Sequence, residues 1–150
     1  TRHVVIMDNT VSVTDGAGLL TNTGVDISVF RNTFYKVPVG LLAQRFPNNA
    51  ADPSGYVRNY KIAGNIFYPT ASNISYWNGQ LNEPVPMDIQ ADMRAIGTFD
   101  SNYYRKDILQ PFHYFYHLTA GGTYVDPPVL DAQGWKSYMN QDANSRKSPL

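Results

Sequence analysis

The chain is built from short runs of alternating apolar and polar residues, separated by turn-forming residues. Residues 25–29 alternate Val and Ile with Asp and Ser, and in residues 56–62 one side carries Tyr, Arg, Tyr and Ile while the other carries Val, Asn and Lys. Such period-two runs predict half-buried β-strands, and their recurrence along the chain is typical of sandwiches and barrels. No internal repeat is apparent. We therefore expect an all-β fold, an antiparallel β-sandwich of jelly-roll-like type with one or two short helices.

Composition supports a β-rich domain. Glu83 is the only glutamate, whereas turn-forming and extended residues such as Asn, Thr, Gly and Pro are abundant. With 150 residues the chain can form one domain with a core of its own. After Met139 the apolar pattern stops, so we predict a single β-sandwich domain over residues 1–139 and a flexible or partner-ordered tail over residues 140–150.

Two segments have ambiguous patterns. Residues 38–47 are bracketed by prolines and predict a helix of about two turns. Residues 87–96 fit either a strand or a helix, and we favour a strand because Gly97 follows at once. The expected core residues are Val5, Ile27, Val29, Ile62, Ile66, Ile89, Met93 and Phe112.

The charge balance bears on possible partners. The formal net charge is +0, and nucleic-acid binding usually requires a positive excess, so we expect no nucleic-acid partner. No apolar run reaches the length that spans a bilayer, so we expect a soluble protein without a membrane partner. The absence of cysteine excludes disulfides and thiolate metal sites.

The segment from Tyr103 to His117 is the most unusual part of the chain, because its second half is almost entirely aromatic. At period two, one side carries Phe, Tyr and Tyr, and the other carries His113, Phe115 and His117. We predict a strand that is buried on one face and contacts a partner protein on the other. The predicted interface residues are His113, Phe115, His117, Tyr103 and Tyr104.

The histidine pair His113 and His117 is also a candidate metal site. It would need a carboxylate such as Asp107 or Asp126, and the spacing lacks the glutamate found beside the first histidine of helical zinc sites. We therefore predict no metal and no cofactor. A hydrolase based on Asp88 and Asp92, or on Asp and His residues, remains a third alternative.

Aromatic residues near a turn suggest a second kind of function. Tyr76 and Trp77 precede Asn78-Gly79, a strong hairpin-turn signal, so their rings could lie at the end of a loop. An exposed aromatic face with an adjacent amide is suited to stacking on a sugar. Tyr76, Trp77 and Asn78 are thus candidate sugar-binding residues, although the same side chains equally suit a core or a protein interface.

These observations favour a protein that is not an enzyme, because no motif is specific for a catalytic site. We expect a structural subunit of a larger assembly that acts through contacts with other protein subunits. The composition suggests a viral or phage capsid decoration, minor capsid or tail component, located in a virion or extracellular particle. The alternative is a lectin-like carbohydrate-binding module.

Overall fold

The strands of the protein wind into three parallel sheets. The computed structural model describes residues 2–44, 57–70, 85–89, 96–105, 116–117, 124–125 and 132–148. The first nine strands are β1 (Arg2–Met7), β2 (Thr10–Ser12), β3 (Ala17–Asn22), β4 (Val25–Phe30), β5 (Thr33–Val37), β6 (Val39–Gln44), β7 (Tyr60–Ala63), β8 (Ile66–Pro69) and β9 (Val85–Ile89). They are followed by β10 (Gly97–Asp100), β11 (Tyr103–Tyr104), β12 (Tyr116–His117), β13 (Tyr124–Val125), helix α1 (Ala132–Met139) and β14 (Arg146–Lys147).

Every third strand joins the same sheet. Sheet A contains β1, β4, β7 and β10 in that order, sheet B contains β2, β5, β8, β11 and β14, and sheet C contains β3, β6 and β9. All pairs within these sheets are parallel. Each of the first three coils thus contributes one strand to each sheet, and the fourth adds β10 to sheet A and β11 to sheet B. This architecture is a parallel β-solenoid, or β-helix.

This topology corrects the fold expected from the sequence. The antiparallel sandwich and its jelly-roll arrangement are wrong, because all three large sheets are parallel. Among the described strands, only the two-residue pair β12 and β13 is antiparallel. The prediction of a strand-rich chain is correct, and α1 is the one complete helix in the described residues.

The helix predicted between the two prolines is also wrong, because residues 39–44 form β6 in sheet C. Val39, Leu41, Leu42 and Ala43 are all buried there. Strands of parallel sheets that are covered on both faces consist of nearly continuous apolar residues, which short sequence windows do not distinguish from helices. Of residues 87–96, where strand and helix competed, residues 87–89 belong to strand β9, and residues 90–95 lie outside the described residues.

The core fills the interior of the coils. Phe34, Phe67 and Tyr104 occupy equivalent positions of successive coils and stack, with ring centroids 5.3 Å and then 5.8 Å apart. Four of the expected core residues are fully buried: Ile27, Val29, Ile62 and Ile89. Ile66 is half-buried, and Met93 and Phe112 lie outside the described residues.

Val5 is a correction to the expected core, since its side chain is 60% exposed. The inward positions of β1 are Val4 and Ile6, which pair in register with the buried Ile27 and Val29. Four consecutive apolar residues in a strand do not show which alternate residues face inward. An assignment that is shifted by one residue exchanges the buried and the exposed faces.

A column of asparagines runs along the turn between sheets A and B. It consists of Asn9, Asn32, Asn65 and Asn102, one from each coil. The residue before each asparagine has a positive φ: Asp8, Arg31, Gly64 and Ser101. This left-handed residue turns the chain sharply between two strands and places the asparagine side chain in line with the one in the next coil.

The C-terminal end of the solenoid is covered by α1 and the segment after it. Trp135 is buried and packs edge-on against Phe99, with ring centroids 5.6 Å apart. The buried carboxylate of Asp142 accepts hydrogen bonds from Trp135 Nε1 at 2.7 Å and from the Tyr104 hydroxyl at 2.8 Å. Residues 140–148 of the expected tail lie against the last coil, where β14 adds a strand to sheet B.

Candidate binding surfaces of the solenoid

The asparagine column has a direction, and this makes the two ends of the solenoid different. Both the backbone N–H and the Nδ2 of Asn9 donate to Oδ1 of Asn32, at 3.1 Å and 3.0 Å. Asn32 donates in the same way to Asn65, and Asn65 to Asn102. Each Oδ1 therefore accepts from the preceding coil. Asn9 is the first in the column, and no described residue donates to its Oδ1.

At the opposite end the column is closed. The backbone N–H of Asn102 donates to the Ser145 hydroxyl at 2.7 Å, and its Nδ2 donates to the backbone oxygen of Ile62 and to Asp142. Ser145 Oγ also forms a short hydrogen bond to Asp142. A seryl hydroxyl thus takes the place of the next asparagine, and the last coil is capped by polar groups that satisfy one another.

The N-terminal coil, residues 2–22, is by contrast not covered by any described residue on the side that faces away from the next coil. Its inward side chains, Val4, Ile6, Val11 and Leu19, are only half-buried, although their partners in the next coil are buried. Of the five large apolar side chains that are exposed in the described residues, four belong to this coil: Val5, Met7, Val13 and Leu20. The backbone groups of β1, β2 and β3 that point away from coil 2 form three adjacent strand edges, a surface suited to pairing with further strands.

A second surface lies on the outer side of sheet B. We define the tyrosine–cation face as Tyr35, Lys36, Tyr68, Tyr103, Arg105 and Arg146.

One column of this face is a stack of rings and cations. The rings of Tyr35 and Tyr68 lie 5.3 Å apart and are tilted by 37°. Lys36 Nζ lies 5.2 Å from the centroid of Tyr35, and the guanidinium carbon of Arg105 lies 5.1 Å from that of Tyr68. Arg105 is anchored through Nη1, which donates to the backbone oxygen of Pro69 at 2.7 Å. Cation–π contacts of this kind hold the charges in place at the surface.

The second column carries an exposed ring and an exposed charge. Tyr103 pairs in register with Arg146, and both side chains are exposed. The five strands of sheet B contain no Asp or Glu. At the neighbouring turn Asp8 forms two hydrogen bonds with Arg31, of 2.7 Å and 2.6 Å, and these lower the pKa of the Asp8 carboxyl. The strands of sheet B thus carry Lys36, Arg146 and Lys147 without an acidic residue of their own.

The residues predicted as an interface are not brought together within the described part of the chain. Tyr103 is exposed on the outer side of sheet B, whereas Tyr104 is buried in the core beneath it. His117 is in β12 and pairs with Tyr124 in β13. His113 and Phe115 lie outside the described residues, as do the candidate sugar-binding residues Tyr76, Trp77 and Asn78.

The described residues contain no group of three or more His, Asp or Glu side chains that could hold a metal ion. His3 Nδ1 lies 3.2 Å from Asp26 Oδ2, but both groups are well exposed on the outer face of sheet A. This pair alone does not form a metal site.

The asparagine column is the element that the sequence interpretation missed, and a signal for it was present. The sequences Arg31-Asn-Thr-Phe-Tyr35 and Gly64-Asn-Ile-Phe-Tyr68 both place an aromatic residue two positions after the asparagine, and Ser101-Asn-Tyr-Tyr104 repeats the pattern. The repeated asparagines are 23, 33 and 37 residues apart, so no fixed period reveals them.

No protein-family model, no curated protein and no solved structure matches the chain. The function must therefore be argued from the surfaces of the solenoid themselves. In the described part of the chain, no helix is long and apolar enough to cross a membrane.

Proposed function

We propose that the chain is a non-enzymatic structural subunit, and that its N-terminal coil is covered by another protein subunit in a larger assembly. One observation carries the proposal: among the described residues, the last coil is covered by α1 and the segment after it, whereas the coil of residues 2–22 has exposed apolar side chains and strand edges without a described partner. Solenoid domains need a terminal cap, because an uncovered coil exposes apolar side chains and strand edges to water.

The chemistry of the open end indicates what kind of surface would cover it. The edges of β1, β2 and β3 can pair with further strands, as their other edges do in parallel with coil 2, and Oδ1 of Asn9 can accept a hydrogen bond from a donor in such a coil. A further coil of β-strands with a side-chain amide at the equivalent turn would supply both the pairing strands and the hydrogen-bond donor. Burial of Val4, Ile6, Val11 and Leu19 would contribute the apolar part of the free energy.

The test is sedimentation velocity of the full chain over a wide range of concentrations. The proposal expects association, and it expects the double variant Val5→Lys/Leu20→Lys to sediment as a monomer, because lysines beside a strand edge prevent pairing. Thr98→Lys is the matched control, since Thr98 is exposed on sheet A near the other end. A wild-type chain that stays monomeric throughout contradicts the proposal, as does loss of association in the control alone.

The suggested viral or phage particle remains a prediction from composition. Electron microscopy of the particle from which the chain is isolated would decide it directly. A capsid or tail component should be visible in a fixed position of that particle.

Carbohydrate binding is the second candidate function. It is supported by the tyrosine–cation face, where tyrosine rings, phenolic hydroxyls and cations lie together on a regular surface. These groups differ from Tyr76 and Trp77, on which the sequence interpretation relied.

A further inference from the structure

We infer that the tyrosine–cation face binds an acidic polysaccharide whose chain lies along the solenoid axis. This inference rests on carbohydrate binding, the second candidate function, and specifies the class of glycan. Three features of the face support it: its charge, its shape and the contacts that its tyrosine rings already make.

The charge of the face selects an anionic ligand. Lys36 and Arg146 lie on one side of the solenoid together with Arg105, and the five strands of sheet B contain no Asp or Glu. Among the described residues, no group accepts a hydrogen bond from the guanidinium of Arg146, which is exposed. A free guanidinium presents a planar fork of donors that matches a carboxylate in geometry. A neutral sugar has no carboxylate to pair with this guanidinium.

The shape of the face selects a linear polymer rather than a small molecule. Five strands of sheet B are stacked from β2 to β14, at the spacing of about 4.8 Å that separates neighbouring strands. The outer side chains therefore form straight rows about 19 Å long. Lys36, Arg105 and Arg146 lie at different levels of this face, in or beside β5, β11 and β14, and cations spread in this way suit a ligand whose own charged groups recur along a chain.

The contacts that the tyrosine rings already make argue against a nucleic-acid ligand. Single-stranded nucleic acids bind by stacking bases on open aromatic faces. Tyr35 and Tyr68 stack on each other and on Lys36 and Arg105, which leaves Tyr103 as the exposed ring of the face. The net charge of the chain is +0, so the positive character is local to this face. Hydroxyls and local cations fit a carboxylated sugar better than a phosphodiester chain with bases.

The test is affinity electrophoresis of the full chain in gels that contain polygalacturonate, its fully methyl-esterified form, or single-stranded oligothymidylate. We expect retardation by polygalacturonate, with affinity at least about tenfold above that for the ester, a difference of about 1.4 kcal/mol. Equal binding to the ester would leave carbohydrate binding in place and overturn the acidic specificity. Binding to neither glycan would overturn both. Equal binding to the oligonucleotide would show a general affinity for polyanions and overturn the glycan assignment.

A charge-matched pair of variants locates the site. Lys36→Gln/Arg146→Gln removes one Lys and one Arg from the tyrosine–cation face, and affinity for polygalacturonate should fall about tenfold. Arg58→Gln/Lys61→Gln removes the same charges from exposed positions on the side of sheet A, and affinity should not change. An equal loss in both variants would show that overall charge is responsible and would contradict the proposed site.

Discussion

Asn32 and Asn65 are joined by two hydrogen bonds that share one acceptor. The backbone N–H and the Nδ2 of Asn32 donate to Oδ1 of Asn65, at 3.0 Å and 3.1 Å. Nδ2 of Asn65 in turn donates to the backbone oxygen of Val29 at 2.8 Å. The buried side-chain amide of Asn65 thus provides the acceptor for the backbone N–H at the turn of the neighbouring coil. It also links Asn32 to the next asparagine of the column.

Asn65→Ala should therefore destabilise the protein strongly. Removal of the amide leaves the buried backbone N–H of Asn32 and the backbone oxygen of Val29 without these partners, and each loss costs about 1–3 kcal/mol. We expect a decrease of about 2–5 kcal/mol in the free energy of unfolding, measured by urea denaturation. Asn9→Ala is the control, because Asn9 is exposed and its side-chain Oδ1 accepts from no described residue, and its cost should be below about 1 kcal/mol. Equal costs for the two variants would show that the column does not carry this energy.

The second prediction concerns a close approach of two backbones. Gly97 in β10 pairs with Tyr60 in β7, and a Cβ at position 97 would overlap the backbone of Tyr60. Because backbone atoms cannot move aside cheaply, Gly97→Ala should cost about 1–3 kcal/mol. Gly16→Ala is the matched control, since nothing lies near the position of its Cβ. Thermal unfolding followed by circular dichroism would compare the two, and a Gly97→Ala midpoint equal to the wild type would contradict the prediction.

The sequence could reveal the strands but not how they pair. The alternation of Val25, Ile27 and Val29 with polar residues correctly predicts a strand with one buried face. The same alternation occurs in parallel and antiparallel sheets, and the partner strand is determined by contacts far apart in the chain. Here β4 pairs with β1 and β7 rather than with the adjacent β5.

The candidate surfaces were harder still to predict. Tyr35, Tyr68 and Arg105 form one column only because three coils stack in register. Their separations along the sequence carry no period, and each residue alone looks like an ordinary member of its strand. The repeated asparagine followed by an aromatic residue was the one local signal, because a left-handed residue and an amide make the same turn in every coil.

The third prediction concerns stability in alkali. Burial, with the nearby Asp142 carboxylate and the hydrogen bond to it, raises the pKa of the Tyr104 phenol well above its ordinary value of 10.0. Burial also raises the pKa of Tyr60. The folded protein therefore holds these protons more tightly than the unfolded chain does. Their contribution to stability is complete below about pH 10 and is lost as the pH rises beyond it.

Urea midpoints measured from about pH 8 to about pH 11 would test this dependence. The wild-type midpoint should fall above about pH 10, and Tyr104→Phe should reduce the slope without abolishing it, because Tyr60 remains. Tyr103→Phe is the control: its ring is exposed, and the slope should match that of the wild type. A Tyr104→Phe protein with the full wild-type slope would be inconsistent with the buried phenol as its source.

The last prediction concerns the closed end of the solenoid. The carboxylate of Asp142 joins helix α1, through Trp135, to the aromatic stack, through Tyr104. Asp142→Ala would leave the buried Trp135 Nε1 and Tyr104 hydroxyl without this acceptor. Since hydrogen bonds to charged groups contribute about 1.5–3 kcal/mol each, we expect a loss of at least about 3 kcal/mol. Trp135 fluorescence should shift to longer wavelength as α1 separates from Phe99, at urea concentrations below the main transition. Asp15→Ala is the control, because Asp15 is exposed and distant in sequence from the cap. If Asp142→Ala unfolds in one step at the wild-type midpoint, then α1 is held by apolar packing alone, and the carboxylate does not cap the solenoid.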